Sequence, residues 1–69
     1  MLVNVLVNNQ PQTIEAGKSL FDLLDKLQFA HKKGVAVAVN EQVVMASLWA
    51  TTLLNENDKI LIISAAQGG

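Results

Sequence analysis

The carboxyl-terminal pair Gly68-Gly69 is the part of this sequence best suited to chemistry. Glycines have no Cβ, so they can enter a slot that excludes other residues and adopt any backbone conformation inside it. With Ala66 and Gln67, the pair would reach about 13–14 Å from a folded domain when fully extended. An ionised terminal carboxylate is a poor electrophile, so another enzyme must activate it. We therefore predict that residues 66–69 enter a tunnel in a partner protein, where the carboxylate of Gly69 reacts.

The remaining residues with reactive side chains form no recognisable site. His31 is the only histidine and lies beside Lys32-Lys33, without a nucleophile and an orienting partner. The chain has no cysteine, so a persulfide, a plant-type iron–sulfur cluster and a Cys/His zinc site are not expected. The acidic residues are scattered singly: Glu15, Asp22, Asp25, Glu41, Glu56 and Asp58. We predict no metal site, no bound cofactor and no catalytic side chain, so the protein is not itself an enzyme.

The triplet Gly17-Lys18-Ser19 ends like a phosphate-binding loop. Such a loop requires another glycine five residues before Gly17, and that position holds Gln12. Ser19 is instead predicted to cap a helix, because Asp22 three residues later completes a capping-box pattern. A nucleotide site on this chain is therefore not expected.

The net charge of −1 comes from five basic and six acidic residues. Proteins that bind phosphate backbones need a basic stripe, and the longest basic run here is Lys32-Lys33. No apolar run approaches the roughly 18 residues of a membrane span, and the amino terminus lacks the basic region of a signal peptide. We expect a cytoplasmic protein that binds neither nucleic acid nor membranes.

The first half of the chain predicts a hairpin and then a helix. Residues 2–7 are rich in β-branched side chains, residues 8–11 are turn formers, and residues 12–15 read as a return strand. A helix is predicted over residues 19–28. Its leucines recur at helical spacing and form one apolar stripe: Leu20, Leu23, Leu24 and Leu27.

The second half contains three strand-like segments. Residues 35–39 alternate valine and alanine, and residues 59–63 are apolar after the leading lysine, as expected of a central, widely covered strand. A shorter strand is predicted at residues 42–44. Residues 47–54 are ambiguous, with a helical turn as one interpretation. Trp49 within them is interpreted as core or as the edge of a contact surface.

This order of elements predicts an α+β fold in which one helix packs on one face of a sheet of four to five strands. Residues 1–65 would form a single domain and residues 66–69 a flexible tail. The other sheet face would expose Leu6, Ala36 and Ala38 with the outer side of the last strand. These side chains are interpreted either as ordinary apolar surface or as a docking patch.

Several motifs together indicate a family. They are Ala16–Leu20, Leu23-Leu24, Val37–Val44, Trp49, Leu54–Ile60 and Gly68-Gly69. In these motifs nearly the whole chain resembles the ThiS family, the sulfur carriers of thiamin biosynthesis within the ubiquitin-like β-grasp group. The resemblance implies a β-grasp fold with a mixed sheet. The chain departs from the family at Met45-Ala46, where members commonly have Pro-Arg, so a partner contact made by that arginine would be missing.

The resemblance also implies a chemistry at Gly69. A ThiF-like adenylating enzyme would consume ATP to convert the carboxylate into an acyl-adenylate. A sulfur donor, such as a persulfide-bearing protein, would then displace AMP and leave a thiocarboxylate. A ThiG-like thiazole synthase would accept the sulfur.

Three alternatives stay open at this point. The chain could be a related carrier for molybdopterin synthesis or tRNA thiolation. It could be a protein modifier that is conjugated to lysines through Gly69. It could also be a plain binding module whose carboxyl terminus has no chemical role.

Overall fold

A computed structural model describes residues 1–64 of the chain, and the predicted tail of residues 66–69 lies outside this range. Within residues 1–64 the chain forms one mixed sheet, one α-helix and one 3₁₀ helix. The elements in order are β1 (Leu2–Val7), β2 (Gln10–Glu15), α1 (Leu20–Lys26), β3 (Val35–Val39), β4 (Gln42–Val44), the 3₁₀ helix (Ala46–Thr51) and β5 (Lys59–Ser64). The strand order is β2-β1-β5-β3-β4, with β1 and β5 parallel and the other pairs antiparallel. The predicted α+β fold with a mixed sheet and one helix on one face is confirmed.

The β1–β2 hairpin turns on two residues rather than the predicted four. Asn8 and Asn9 have φ values of 49° and 69°, as in the two-residue turns that match the twist of paired strands. The return strand therefore begins at Gln10, two residues earlier than predicted, with Val7 opposite Gln10. Pro11 is part of this strand, because β2 lies at the edge of the sheet, where a missing backbone donor is tolerated.

The helix begins as predicted. The Ser19 hydroxyl accepts a hydrogen bond from the Asp22 amide at 3.2 Å, and the Asp22 carboxylate accepts one from the Ser19 amide at 2.9 Å, which completes the capping box. The hydrogen bond from the Ser19 backbone lowers the pKa of the Asp22 carboxyl below its ordinary value. Lys26 in the last turn donates to the Thr13 carbonyl at 3.0 Å and so joins the helix to β2.

The helix ends earlier than predicted, at Lys26. Gln28 adopts the left-handed conformation, with φ of 68°. The Gln28 amide donates to the Asp25 carbonyl at 3.0 Å and the Phe29 amide to the Leu24 carbonyl at 2.7 Å. These bonds form a Schellman motif, which closes the helix.

The core lies between the helix and one face of the sheet. Leu20, Leu23 and Leu24 are completely buried, and Leu27 is partly buried. They pack in one cluster with inward-facing side chains of the sheet and the loops: Val5, Val7, Ile14, Val37, Trp49, Leu54, Ile60 and Ile62. Trp49 thus belongs to the core, and its Nε1 donates to the Val44 carbonyl at 3.0 Å. The ambiguous segment around it contains the 3₁₀ helix.

The loop before β5 is fastened to β1 by Glu56. The carboxylate of Glu56 accepts hydrogen bonds from the backbone amide and the side-chain amide of Asn4, at 2.9 and 3.0 Å. The backbone amide of Asn57 donates to the Asn4 carbonyl at 2.7 Å. The two hydrogen bonds from Asn4, the backbone one first, lower the pKa of the Glu56 carboxyl below its ordinary value.

The same loop is fastened to the β3–β4 turn by Asp58, which is buried. Its carboxylate accepts hydrogen bonds from the Asn40 side chain at 2.9 Å and from the Asn55 amide at 2.8 Å. The Asn40 side-chain oxygen in turn accepts one from the Lys59 amide at 3.0 Å. The loop is therefore held to β1 through Glu56 and to the β3–β4 turn through Asp58, immediately before β5 begins.

We predict that Leu24→Ala lowers the free energy of unfolding by about 2–5 kcal/mol, because it leaves a cavity in the centre of the core. That loss is a large part of the roughly 5–15 kcal/mol by which natural domains are stable. Urea denaturation at neutral pH, followed by the fluorescence of the buried Trp49, measures it. Leu53→Ala is the matched control, since Leu53 is 58 % exposed. Equal losses in the two variants would contradict the assignment of the core.

We predict that protonation of the Glu56 carboxylate in acid lowers the stability of the folded protein. Its folded-state pKa is lowered, so the unfolded chain takes up the proton first and stability declines as the pH falls from about 5 towards 3. Denaturation of Glu56→Gln across this range should show a shallower decline than the native chain. Some decline remains, because the pKa of Asp22 is also lowered. Glu41→Gln, at an exposed turn position, is the control, and an unchanged slope in Glu56→Gln would contradict the prediction.

Candidate functional site

The residues predicted to react or to enter a partner, Ala66, Gln67, Gly68 and Gly69, lie outside the described residues. What the structure describes is the strand that leads to them. β5 ends at Ser64, opposite Val35, and lies in the centre of the sheet between β1 and β3. The chain therefore leaves the described domain from a central strand.

The two sides of β5 are paired to different extents. On the β3 side the register covers every residue of β5 after Lys59, from Val39 opposite Ile60 to Val35 opposite Ser64. On the β1 side it covers only two positions, and the last of them is Val7 opposite Ile60. The second half of β5 thus has a partner strand on one side only.

The sheet face opposite the helix is apolar around β3, β4 and the second half of β5. Ala38 lies opposite both Leu61 and Val43, and Ala36 lies opposite Ile63, so the side chains form cross-strand rows. Leu61, Ile63 and Val43 are 49 %, 56 % and 77 % exposed. We call this surface the open face; its residues are Leu6, Ala36, Ala38, Val43, Leu61 and Ile63. The expectation that β5 is widely covered is wrong for Leu61 and Ile63, because the single helix covers only the other face.

Polar residues border the open face at one end. A shallow groove of about 180 Å³ is lined there by Leu6, Asn8, Asn9, Ala38, Glu41, Lys59, Ile60 and Leu61. Ligand sites for small molecules are usually about 300–1,000 Å³. An apolar centre with one cation and one anion at its border suits contact with another protein surface better than capture of a small ligand.

Val43 was not singled out from the sequence as part of the open face. The signal was present, because Val43 and Val44 are adjacent in a strand and must point to opposite sides. Val44 is half-buried, whereas Val43 is mostly exposed. The sequence did predict Leu6, Ala36, Ala38 and the outer side of β5 on this face, and the structure brings them together.

The other candidates have structural roles or none. His31 is exposed and its ring lies edge-on to Phe21, 5.9 Å between centroids. Gly17 has a φ of 89° in the turn before the helix, and Ser19 is the helix cap rather than a phosphate ligand. In the part of the chain that the structure describes, no three metal-binding side chains lie together. Over the same residues, no helix has the length and apolar character needed to cross a membrane.

Met45-Ala46, where the resemblance led us to expect Pro-Arg, lies on the surface. Both residues are exposed, Met45 to 67 %, and they follow β4 at the start of the 3₁₀ helix. A residue change at these two positions leaves the core unchanged.

Comparisons with known proteins identify relatives over nearly the full chain. The model of the ThiS family matches residues 5–69. The sulfur carrier protein ThiS of Escherichia coli is 31 % identical over 67 residues, which cover 97 % of this chain and 100 % of that protein. A thiazole synthase of Magnetococcus marinus is 36 % identical over 67 residues, and these amount to 97 % of this chain but only 20 % of the synthase.

Solved structures agree with the sequence matches. The crystal structure of the thiamine biosynthesis protein ThiS from Geobacter metallireducens superimposes with a TM-score of 0.77 at 25 % identity, covering 97 % of this chain and 100 % of that one. The NMR structure of a thiamine biosynthesis protein from the same organism gives 0.75 at 25 % identity, over 97 % and 88 % of the two chains. The predicted resemblance is confirmed: the chain belongs to the ThiS family and has its ubiquitin-like β-grasp fold.

Proposed function

We propose that this chain is a sulfur carrier of thiamin biosynthesis and that Gly69 carries the sulfur as a terminal thiocarboxylate. The observation that carries the proposal is the extent of the family match, which runs through residue 69 and so includes Gly68-Gly69. The fold supports it, because these glycines follow a central strand whose neighbouring surface is an exposed apolar face.

The chemistry begins with the Gly69 carboxylate, which must acquire a leaving group. A ThiF-like adenylating enzyme joins it to the α-phosphate of ATP, releasing pyrophosphate and forming an acyl-adenylate. A sulfur nucleophile then attacks the carbonyl carbon and expels AMP. With sulfide as the nucleophile, the product is the thiocarboxylate, in which one oxygen of Gly69 has been replaced by sulfur. When a persulfide-bearing protein supplies the sulfur, its terminal sulfur attacks the carbonyl carbon and expels AMP, which leaves an acyl disulfide between Gly69 and the donor. A second thiol then attacks the donor's sulfur, which releases the thiocarboxylate and leaves a disulfide on the donor side.

The absence of cysteine supports the carboxyl terminus as the sulfur site. Proteins that carry sulfur on a side chain hold it on a cysteine thiol as a persulfide. None of the 69 residues is a cysteine. The carrier binds no cofactor in this scheme, and ATP is consumed by the adenylating enzyme.

The acceptor in this proposal is a ThiG-like thiazole synthase. The thiazole synthase of Magnetococcus marinus includes a 67-residue stretch similar to nearly all of this chain. In that protein, a carrier-like segment and thiazole synthase sequence occur in one polypeptide. Their occurrence together supports a functional pairing of this chain with a thiazole synthase.

The open face is the surface on which partner enzymes dock. Leu61 and Ile63 lie on β5 itself. Leu61 is three residues before Ser64, and Ile63 is one residue before it. A partner that covers them is therefore placed next to the departure point of the carboxyl-terminal residues. Contiguous exposed apolar patches on proteins often mark the sites at which other proteins bind.

We predict that incubation with ATP, sulfide and the cognate ThiF-like enzyme replaces one oxygen of the chain by sulfur, as measured by intact-protein mass. Gly69→Trp should prevent the change, because an indole does not fit into a tunnel that is wide enough only for glycine. Asp25→Trp places the same ring on the exposed side of the helix and should react normally. Pyrophosphate exchange establishes that the enzyme is active. No mass change with an active enzyme, or normal reaction of Gly69→Trp, would refute the proposal.

We predict that Leu61→Asp raises the KM of the adenylating enzyme for the carrier by about tenfold or more, as expected of a central interface residue. Unfolding should be little affected, because Leu61 is half exposed. Steady-state pyrophosphate exchange at varied carrier concentration measures KM. Gln28→Asp introduces the same charge at an exposed position just after the helix, on the other side of the sheet, and serves as the control. If both variants keep the native KM, the open face is not the docking surface.

A further inference from the structure

Asn8 occupies the place where β1 stops accompanying β5. Its backbone amide donates to the Ile60 carbonyl at 2.9 Å, which is the last backbone bond on this side of β5 among the described residues. The chain then turns away into β2. Without another partner, the following amide and carbonyl groups on this side of β5 would face solvent.

The side chain of Asn8 supplies that partner. Its Oδ1 accepts a hydrogen bond from the Ile62 amide at 2.7 Å, and its Nδ2 donates to the Ile62 carbonyl at 3.1 Å. The side-chain amide thus takes the place of a peptide group and extends the parallel ladder by one residue. Both bonds are partly buried, so water competes with them less than at an open edge.

Turn geometry alone does not account for this arrangement. Asn9 has the same left-handed backbone conformation, with φ of 69°. Within residues 1–64, however, the Asn9 side chain makes no hydrogen bond. Asn8 therefore has a role that Asn9 lacks, and the pair provides an internal comparison.

We propose that Asn8 is a positioning residue that holds the second half of β5 and thereby directs the carboxyl-terminal residues towards the adenylating enzyme. The inference rests on the proposed function. Ile62, to which Asn8 bonds, precedes Gly69 by seven positions. If β5 can separate from the sheet at Ile62, the enzyme must order that segment when it binds the carrier, which weakens binding. Once the terminus is correctly bound, the rate of its adenylation does not depend on Asn8.

The test compares Asn8→Gly with Asn9→Gly. Glycine is well suited to both turn positions, so each variant retains the turn. NMR-detected hydrogen exchange of the Ile62 amide should become about fivefold faster or more in Asn8→Gly, the factor that corresponds to one net hydrogen bond. The Leu6 amide, which donates to the Asp58 carbonyl, reports on the rest of the sheet and should be unchanged. Asn9→Gly should leave both amides unchanged.

Adenylation kinetics complete the test. In Asn8→Gly, the KM for the carrier in pyrophosphate exchange should rise by a similar factor of about five, with kcat close to the native value. An unchanged KM, or equal acceleration of exchange at Leu6 and Ile62, overturns the positioning role. Failure of the native chain to be adenylated by an active enzyme overturns the proposed function instead. The exchange result at Ile62 separates the two failures, because it does not depend on the enzyme.

Discussion

The pairing of β5 with both β1 and β3 is the constraint on which the rest of this structure depends. β5 comes last in the described chain but lies in the middle of the sheet, so the domain cannot close until it is inserted. The surrounding loops fix where it begins: Glu56 accepts two hydrogen bonds from Asn4, and buried Asp58 bonds to Asn40, which also accepts from the first amide of β5. A strand fixed in this way gives the residues that follow it a defined origin.

Only one side of the sheet is covered, because the described residues form a single short α-helix. The seven-residue helix provides one leucine stripe, enough to bury one face. The two faces of β5 are consequently very different: Ile60 and Ile62 are buried, whereas Leu61 and Ile63 are about half exposed. The same strand therefore contributes to the core and to the proposed docking surface. A substitution on one face is therefore expected to affect folding, and a substitution on the other to affect the proposed docking.

Local signals in the sequence were enough to predict the beginning of the helix, the leucine stripe and the order of the elements along the chain, because capping and periodicity depend on neighbouring residues. The early end of the helix was missed since Gln28, rather than glycine, takes the left-handed conformation. Pro11 was placed in a turn because only the assembled sheet shows that β2 is an edge strand. The bonds from Asn8 to Ile62 join residues 54 positions apart, and no local pattern indicates them. The terminal glycines were singled out by residue type alone and lie outside the described residues.

The motifs that reveal the family in the sequence are mainly scaffold residues. Asn40, Asn55, Glu56 and Asp58 hold the loop that introduces β5, and Trp49 is core. The chemistry that we propose requires none of these side chains, only a glycine carboxylate delivered from a fixed position. Met45 and Ala46, in contrast, are exposed, and none of these loop contacts depends on their side chains. By the same reasoning, Asn8 belongs with the scaffold residues, although it lies at a hairpin tip where substitution is usually tolerated.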